Sequence, residues 1–274
     1  MLYVDLAPGK FAYRFDGPDD APVLILSHSL GTDHTMWDVQ MPTLTRYFQV
    51  LRYDSRGHGS SAVPPGPYTI EKLGQDALAL IDALNIQKAH FCGLSLGGMV
   101  GMWLAAHAPE RIDHLALCNT AARMGPPQLW DARIESVRQW GMAASADAVM
   151  ARWFAPAFWE QAPDVIERLR QTLIHTPADG YIACCEAIRA MDQRALLPRI
   201  RAKTLVIAGA HDAAAPPADG RFLAETIPDA RYLELLAAHL ANIEIGQPFT
   251  DALVRFLTES ASSQGIRERR VNHE

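Results

Sequence analysis

The run His90-Phe91-Cys92-Gly93-Leu94-Ser95-Leu96-Gly97-Gly98-Met99 places a serine between an apolar stretch and a segment of small and apolar residues. Ala89 to Cys92 reads as a buried strand and Met99 to Ala108 as a helix, with G-x-S-x-G between them. Glycines two before and two after Ser95 let the backbone turn sharply and let strand and helix approach closely. Ser95 then stands at the tip of the turn, with the first amides of the helix aimed at whatever becomes attached to it. That is the setting of a nucleophile. A serine hydroxyl is a weak one at neutral pH, so the chemistry also needs a base, an acid to orient the base, and donors for a developing oxyanion.

Base and acid follow two other strand-like segments. Thr204 to Ala208 leads into Gly209-Ala210-His211-Asp212, and Tyr232 to Leu235 leads into Ala237-Ala238-His239. In a parallel α/β sheet the loops beyond the carboxyl ends of the strands share one face, so Ser95, Asp212 and His239 can meet although distant in sequence. Asp219 and Asp229 read as surface acids. Ser27, Ser29, Ser55, Ser60 and Ser61 lack the elbow and read as turn or hydrogen-bonding residues, as do His28 and His58 beside their glycine turns. His211 has no second ligand at a matching spacing, and no metal site is expected.

The elements that must position these residues alternate along the chain. Val23 to Ser27, Val50 to Tyr53, Ala89 to Cys92, Leu115 to Cys118, Thr204 to Ala208 and Tyr232 to Leu235 are near-continuous apolar runs that suit a parallel sheet covered on both faces. Between them lie helical patterns such as Ile70 to Leu84, with Leu73, Ala77, Leu80, Ile81 and Leu84 on one stripe. The alternation predicts a doubly wound α/β fold. Leu2 to Leu6 and Phe11 to Phe15, separated by Pro8-Gly9, predict an antiparallel hairpin at the sheet edge. From residue 121 to 195 the strands stop, and Leu129 to Trp140, Ala146 to Phe154 and Pro163 to Ile174 read as consecutive amphipathic helices. The expected organisation is a core of residues 1–120 and 196–259, a helical cap of residues 121–195, and a polar tail from 260 to 274.

Composition narrows the function. The 274 residues carry a net charge of -6, with 49% hydrophobic and 20% charged residues. Such a balance is that of a globular protein with no basic face for nucleic acid. No run approaches membrane-spanning length and the N-terminal segment lacks signal-peptide character, so no membrane partner and a cytoplasmic setting are expected. Cys92 and Cys118 fall in neighbouring apolar runs and read as core thiols, while Cys184 and Cys185 are adjacent, which suits neither a mutual disulfide nor a metal.

The chain resembles the α/β-hydrolase family over nearly its whole length. Val23 to Gly31 is similar to that family's oxyanion strand and loop, Tyr53-Asp54-Ser55-Arg56-Gly57-His58-Gly59 to its D-x-R-G-x-G turn, and Gly93 to Gly97 to its nucleophile elbow. The order Ser, Asp, His is also the family's. A closer resemblance is to 3-oxoadipate enol-lactonases, carried by Ser27 to Asp33, Leu51 to Asp54, Pro64 to Ile70, Cys118 to Arg123 and Gly180 to Glu186. Ser29 departs from the wider family, where a second glycine often follows the histidine.

This resemblance implies an enol-lactone substrate, Ser95 as nucleophile, His239 as base, Asp212 as the orienting acid, and the backbone amides of Leu30 and Leu96 as the oxyanion hole. It implies no metal and no organic cofactor. Four of the six tryptophans lie in the insertion, and Trp130 and Trp153 are candidates to line a small-molecule pocket. Trp140 and Trp159 belong to the same set. The substrate's carboxylate arm calls for a cationic group; Arg133, three residues after Trp130, is the first candidate, with Arg123, Arg138, Arg152 and Arg189 as competitors. Other readings are a carboxylesterase, a C-C bond hydrolase of ring-cleavage products, or a ligand receptor built on the same fold.

Overall fold

The computed structural model describes residues 1–259, so the polar tail expected from 260 to 274 lies outside the described residues. Eight strands form one sheet: β1 (Leu2–Leu6), β2 (Gly9–Asp16), β3 (Val23–Ser27), β4 (Gln49–Tyr53), β5 (Ala89–Leu94), β6 (Ile112–Cys118), β7 (Lys203–Gly209) and β8 (Arg231–Leu235). Their order across the sheet is β1-β2-β4-β3-β5-β6-β7-β8. β1 and β2 form the expected hairpin and β2 joins β4 antiparallel; every other pairing is parallel.

Central strands β3, β5 and β6 are buried along almost their whole length, as continuous apolar runs require when helices cover both faces. α1 (Met41–Leu44), α2 (Ile70–Ala83), α3 (Leu96–His107), then α8 (Pro217–Thr226), α9 (Ala241–Glu244) and α10 (Gly246–Thr258) accompany the sheet. Thr69 caps α2 by accepting from Lys72 N, and Leu73, Ala77, Leu80 and Ile81 of that helix are buried as their spacing demands. α3 is buried on all sides, and its glycines explain how it comes so near the sheet. A Cβ on Gly97 would lie 2.1 Å from Ser27 O, and one on Gly98 2.6 Å from Thr120 Cγ2.

Between β6 and β7 the chain is helical: α4 (Pro127–Met150), α5 (Pro156–Gln161), α6 (Pro163–His175) and α7 (Ala178–Ala190). Two of the helices read from the sequence merge into α4, broken at Gly141, where φ is +76°. One close approach fixes this insertion to the sheet domain: Gly57, at φ +78°, meets Gly180 of α7 backbone to backbone, and a Cβ on Gly180 would lie 2.4 Å from Gly57 Cα.

Candidate active site

The order in which successive strands are added reverses between the parallel neighbours β3 and β5, since β4 flanks β3 on the other side. A crevice opens at the carboxyl ends of strands around such a switch point. Leu30 follows β3, Ser95 follows β5, Asn119 follows β6, Asp212 follows β7 and His239 follows β8.

Ser95 sits between the last residue of β5 and the first of α3, with φ 56° and ψ -113°. A side chain in that region of backbone space costs of order 1–3 kcal/mol and persists only where its surroundings enforce it. Here Ser95 N donates to Cys118 O at 2.9 Å, and Thr120 Oγ1 donates to Ser95 O at 2.7 Å. Gly93 is forced by the same turn, since a Cβ there would lie 2.1 Å from Gly97 O.

His239 Nδ1 lies 2.8 Å from Asp212 Oδ2. Asp212 Oδ1 accepts the backbone amides of Ala214 at 2.7 Å and Ala215 at 2.9 Å, and Oδ2 also accepts Asn119 Nδ2 at 3.0 Å. Burial alone would push this carboxyl up; His239 opposite and the three donors outweigh it and hold Asp212 below the ordinary carboxylate range. An ionised Asp212 accepts only, so the proton between it and His239 is on Nδ1 and Nε2 is the basic nitrogen. Ser95 and His239 both line one pocket, with Asp212 buried behind His239.

Facing Ser95 is the loop after β3. Two buried histidines shape it: Ser55 N donates to His28 Nε2 at 2.9 Å, and Gly31 N donates to His58 Nε2 at 2.9 Å. Their Nδ1 atoms face the carbonyl oxygens of Ser29 and Arg56, so both rings carry the proton there and are neutral. Burial, against the pull of Asp54, lowers His28, and burial together with His28 lowers His58 to about 3. Gly31, at φ +75°, passes beneath Leu173 and Tyr181; a Cβ there would lie 2.5 Å from Leu173 Cδ1. Among the described residues no acceptor is engaged by Leu30 N, and Leu96 N opens α3, where no helical acceptor exists.

The pocket is lined by Ser29, Leu30, Ser95 and His239 on the sheet side, and by Trp130, Arg133, Arg152, Trp153 and Tyr181 of the insertion, with Met99, Met124, Val149, Ile188 and Ala214 between them. Trp130, Arg133 and Trp153 thus reach the pocket, as the sequence suggests. Trp140 does not: it is 65% exposed. Trp159 packs partly buried on the core cluster, away from the pocket. Arg138 is exposed beside Glu135 and Glu186, Arg189 pairs with Asp131, and Arg123 is exposed.

Arg133 and Arg152 differ from Arg138 and Arg189 in having no carboxylate partner among the described residues, and from Arg123 in lining the pocket. The Arg133 guanidinium lies 4.9 Å over the Trp130 ring. Arg152 Nη2 donates to Ala213 O at 3.1 Å, and burial followed by the nearby Arg133 charge lowers its pKa. Tyr181, fully buried, keeps its hydroxyl without a hydrogen bond of good geometry and holds its proton firmly. Leu240 N donates to Trp153 O at 3.0 Å, so the insertion is bonded to both the Asp212 and the His239 loops.

Sheet order, elbow and loops together define an α/β-hydrolase architecture. The family model for the alpha/beta hydrolase fold matches residues 22–244, and the chain belongs to that family. It is 44% identical over 241 residues to 3-oxoadipate enol-lactonase 2 of Acinetobacter baylyi, covering 88% of this chain and 90% of that one. Identity to 3-oxoadipate enol-lactonase 1 of the same organism is 37%, covering 89% of this chain and 91% of the relative. Among solved structures, the enol-lactonase from Burkholderia xenovorans LB400 superposes with a TM-score of 0.93 at 50% identity, covering 94% of this chain and all of that one (100%).

Proposed function

We propose that this protein is a carboxylic ester hydrolase that opens 3-oxoadipate enol-lactone to 3-oxoadipate, a step in the breakdown of aromatic compounds. The observation that carries the reading is one pocket holding both a strained serine beside a histidine-aspartate pair and two guanidinium groups with no carboxylate of their own. The relatives named above support the choice of lactone.

In this reading His239 Nε2 takes the proton of Ser95 Oγ as the oxygen attacks the lactone carbonyl, while Asp212 holds the imidazole in the Nδ1–H form and stabilises its charged state. The amides of Leu30 and Leu96 receive the oxyanion, each worth about 3 to 4 kcal/mol in the transition state. Collapse of the tetrahedral intermediate breaks the ring C–O bond and releases an enolate, which His239 protonates and which tautomerises to a ketone. Because the leaving group is an enol, its departure is easy, and attack of water on the acyl-Ser95 becomes the slow step. Arg133 and Arg152 bind the substrate's carboxylate arm by charge-assisted hydrogen bonds, and Trp130 and Trp153 pack on its carbon skeleton.

The helical segment 121–195 acts as the cap that selects substrate, and residues 1–120 and 196–259 carry the chemistry. No cofactor enters these steps. A cytoplasmic setting is part of the proposal, and it accords with four buried, unbonded cysteines. A substrate panel tests the reading: the enol-lactone is turned over with a kcat/KM well above that for neutral aryl esters or ring-cleavage dienones. Preference for the esters would make it a general carboxylesterase, preference for the dienones a C-C bond hydrolase, and a single burst without turnover a ligand receptor.

A further inference from the structure

At the end of the sheet away from Ser95, β5 and β6 fall out of register. Ala89 pairs with Ile112 and the next aligned pair is Phe91 with Leu115, so His90 alone stands opposite both Asp113 and His114. Successive strand residues ordinarily point to opposite faces; a bulge sets two of them against one partner and re-aims their side chains. The result here is a cluster of three metal-ligating groups. Asp113 Oδ2 lies 2.9 Å from His114 Nδ1 and 3.6 Å from His90 Nδ1, and one ligand atom from each residue lies within 4.8 Å of the others.

Both histidines are 8% exposed, and two of their buried nitrogens, His90 Nδ1 and His114 Nε2, have no hydrogen-bond partner among the described residues. The rings are 5.0 Å apart and walled by aromatic edges, Phe48 at 5.6 Å from His90 and Phe256 at 5.3 Å from His114. Those walls hold the imidazoles in place and offer them no donor. Lys88 Nζ, at the half-exposed rim, takes the other carboxylate oxygen of Asp113 at 2.7 Å and leaves Oδ2 turned toward the rings. A buried polar atom without a partner is a standing cost, which a cation accepting the lone pair of His90 Nδ1 would remove, with His114 supplying the Nδ1 that faces Asp113.

The chemistry of the donors selects the cation. Two imidazole nitrogens and one carboxylate oxygen suit a borderline ion of the zinc type, whereas calcium and magnesium require oxygen shells. Zinc with arms of about 2.0 to 2.1 Å sets neighbouring ligand atoms about 3.3 Å apart in a tetrahedron. The separations of 2.9 and 3.6 Å from Asp113 Oδ2 bracket that edge. We propose that His90, Asp113 and His114 bind one divalent transition metal ion of the zinc type, with the fourth position taken by water, and so clamp β5 to β6. Ser95 is five strand steps beyond His90, about 17 Å away, so the clamp is independent of the hydrolytic reading.

Cobalt(II) titration of the full chain, followed by visible absorption and by competition with zinc, tests the site. The wild type binds one equivalent saturably with the intense bands of a four-coordinate ion, and zinc displaces it and raises Tm. Asp113→Asn, at a half-exposed position that tolerates the change, and His90→Gln each weaken binding at least tenfold while ester hydrolysis stays at the wild-type rate. Absence of saturable one-to-one binding in the wild type, or binding that both variants leave unchanged, overturns the proposal.

Discussion

Asn119 donates its side-chain amide to Asp212 at 3.0 Å, on the same carboxylate oxygen that faces His239 Nδ1 at 2.8 Å. The amide also reaches Ala238 O at 3.1 Å, so one side chain fixes the acid and the loop of the base together. Asn119 has a φ of +47°, a conformation that glycine adopts without cost. Asn119→Gly therefore removes the donor without adding backbone strain. We expect kcat to fall about tenfold, the scale of one charge-assisted hydrogen bond, with KM unchanged. Steady-state kinetics on the preferred ester decides it, and an unchanged kcat would remove Asn119 from the account.

The two guanidinium groups give a second expectation. Arg133→Ala and Arg152→Ala should each lower kcat/KM for the carboxylate-bearing lactone by about ten- to a hundredfold, corresponding to about 1.5 to 3 kcal/mol. A neutral aryl ester should lose much less with either variant. That contrast separates anion binding from general damage, since a displaced cap would reduce both activities. Equal losses on both substrates would assign these arginines to holding the cap instead.

Acid sensitivity should begin with the loop after β3. His28 and His58 are held neutral in the fold, with His58 lowered to about 3, whereas unfolded histidine titrates near 6.5. For a group whose folded pKa is depressed, the unfolded chain binds the proton first, so stability is full above about pH 6.5 and declines as pH falls below it. His58 contributes a slope approaching about 1.4 kcal/mol per pH unit near pH 5, and His28 adds to it with the same sign. Tm measured from pH 7.5 to 5 should fall steadily. A flat profile over that range would show that these rings accept protons in place.

The meeting of Gly57 with Gly180 yields a stability test of the cap. A methyl group on Gly180 would sit 2.4 Å from Gly57 Cα and 2.4 Å from Gly57 O, in backbone that cannot yield easily. Gly180→Ala should cost about 1 to 3 kcal/mol, the range for overpacking, and lower Tm accordingly. Denaturant unfolding measures it; a variant as stable as the wild type would mean that α7 shifts without penalty.

Much of the site was readable in the residues because its determinants are local. Gly93, Ser95 and Gly97 write the elbow within five positions, and apolar runs of strand length ending just before Asp212 and His239 put both on the same edge. The strands, the N-terminal hairpin and the helical insertion were legible for the same reason. What escaped depends on how distant segments pack. Tyr181 faces the pocket only because Gly57 and Gly180 let α7 settle there, and Arg152 is set apart from Arg123, Arg138 and Arg189 by lining the pocket with no carboxylate paired to it, which only the packing of the cap decides. Trp140 looked like a lining residue, yet it ends 65% exposed just before the left-handed break at Gly141. The bulge that gathers His90, Asp113 and His114 is a register shift between two strands, which no periodicity within either strand announces.

Turnover of 3-oxoadipate enol-lactone by the wild type and by Ser95→Ala, measured side by side at saturating substrate, tests the central claim most directly. The account predicts sustained multiple turnover by the wild type. It also predicts a loss of kcat by a factor of at least about ten thousand in the variant, since removal of a nucleophile leaves only binding and oxyanion stabilisation. A wild type that fails to turn the lactone over, or a Ser95→Ala variant within tenfold of it, would contradict the account.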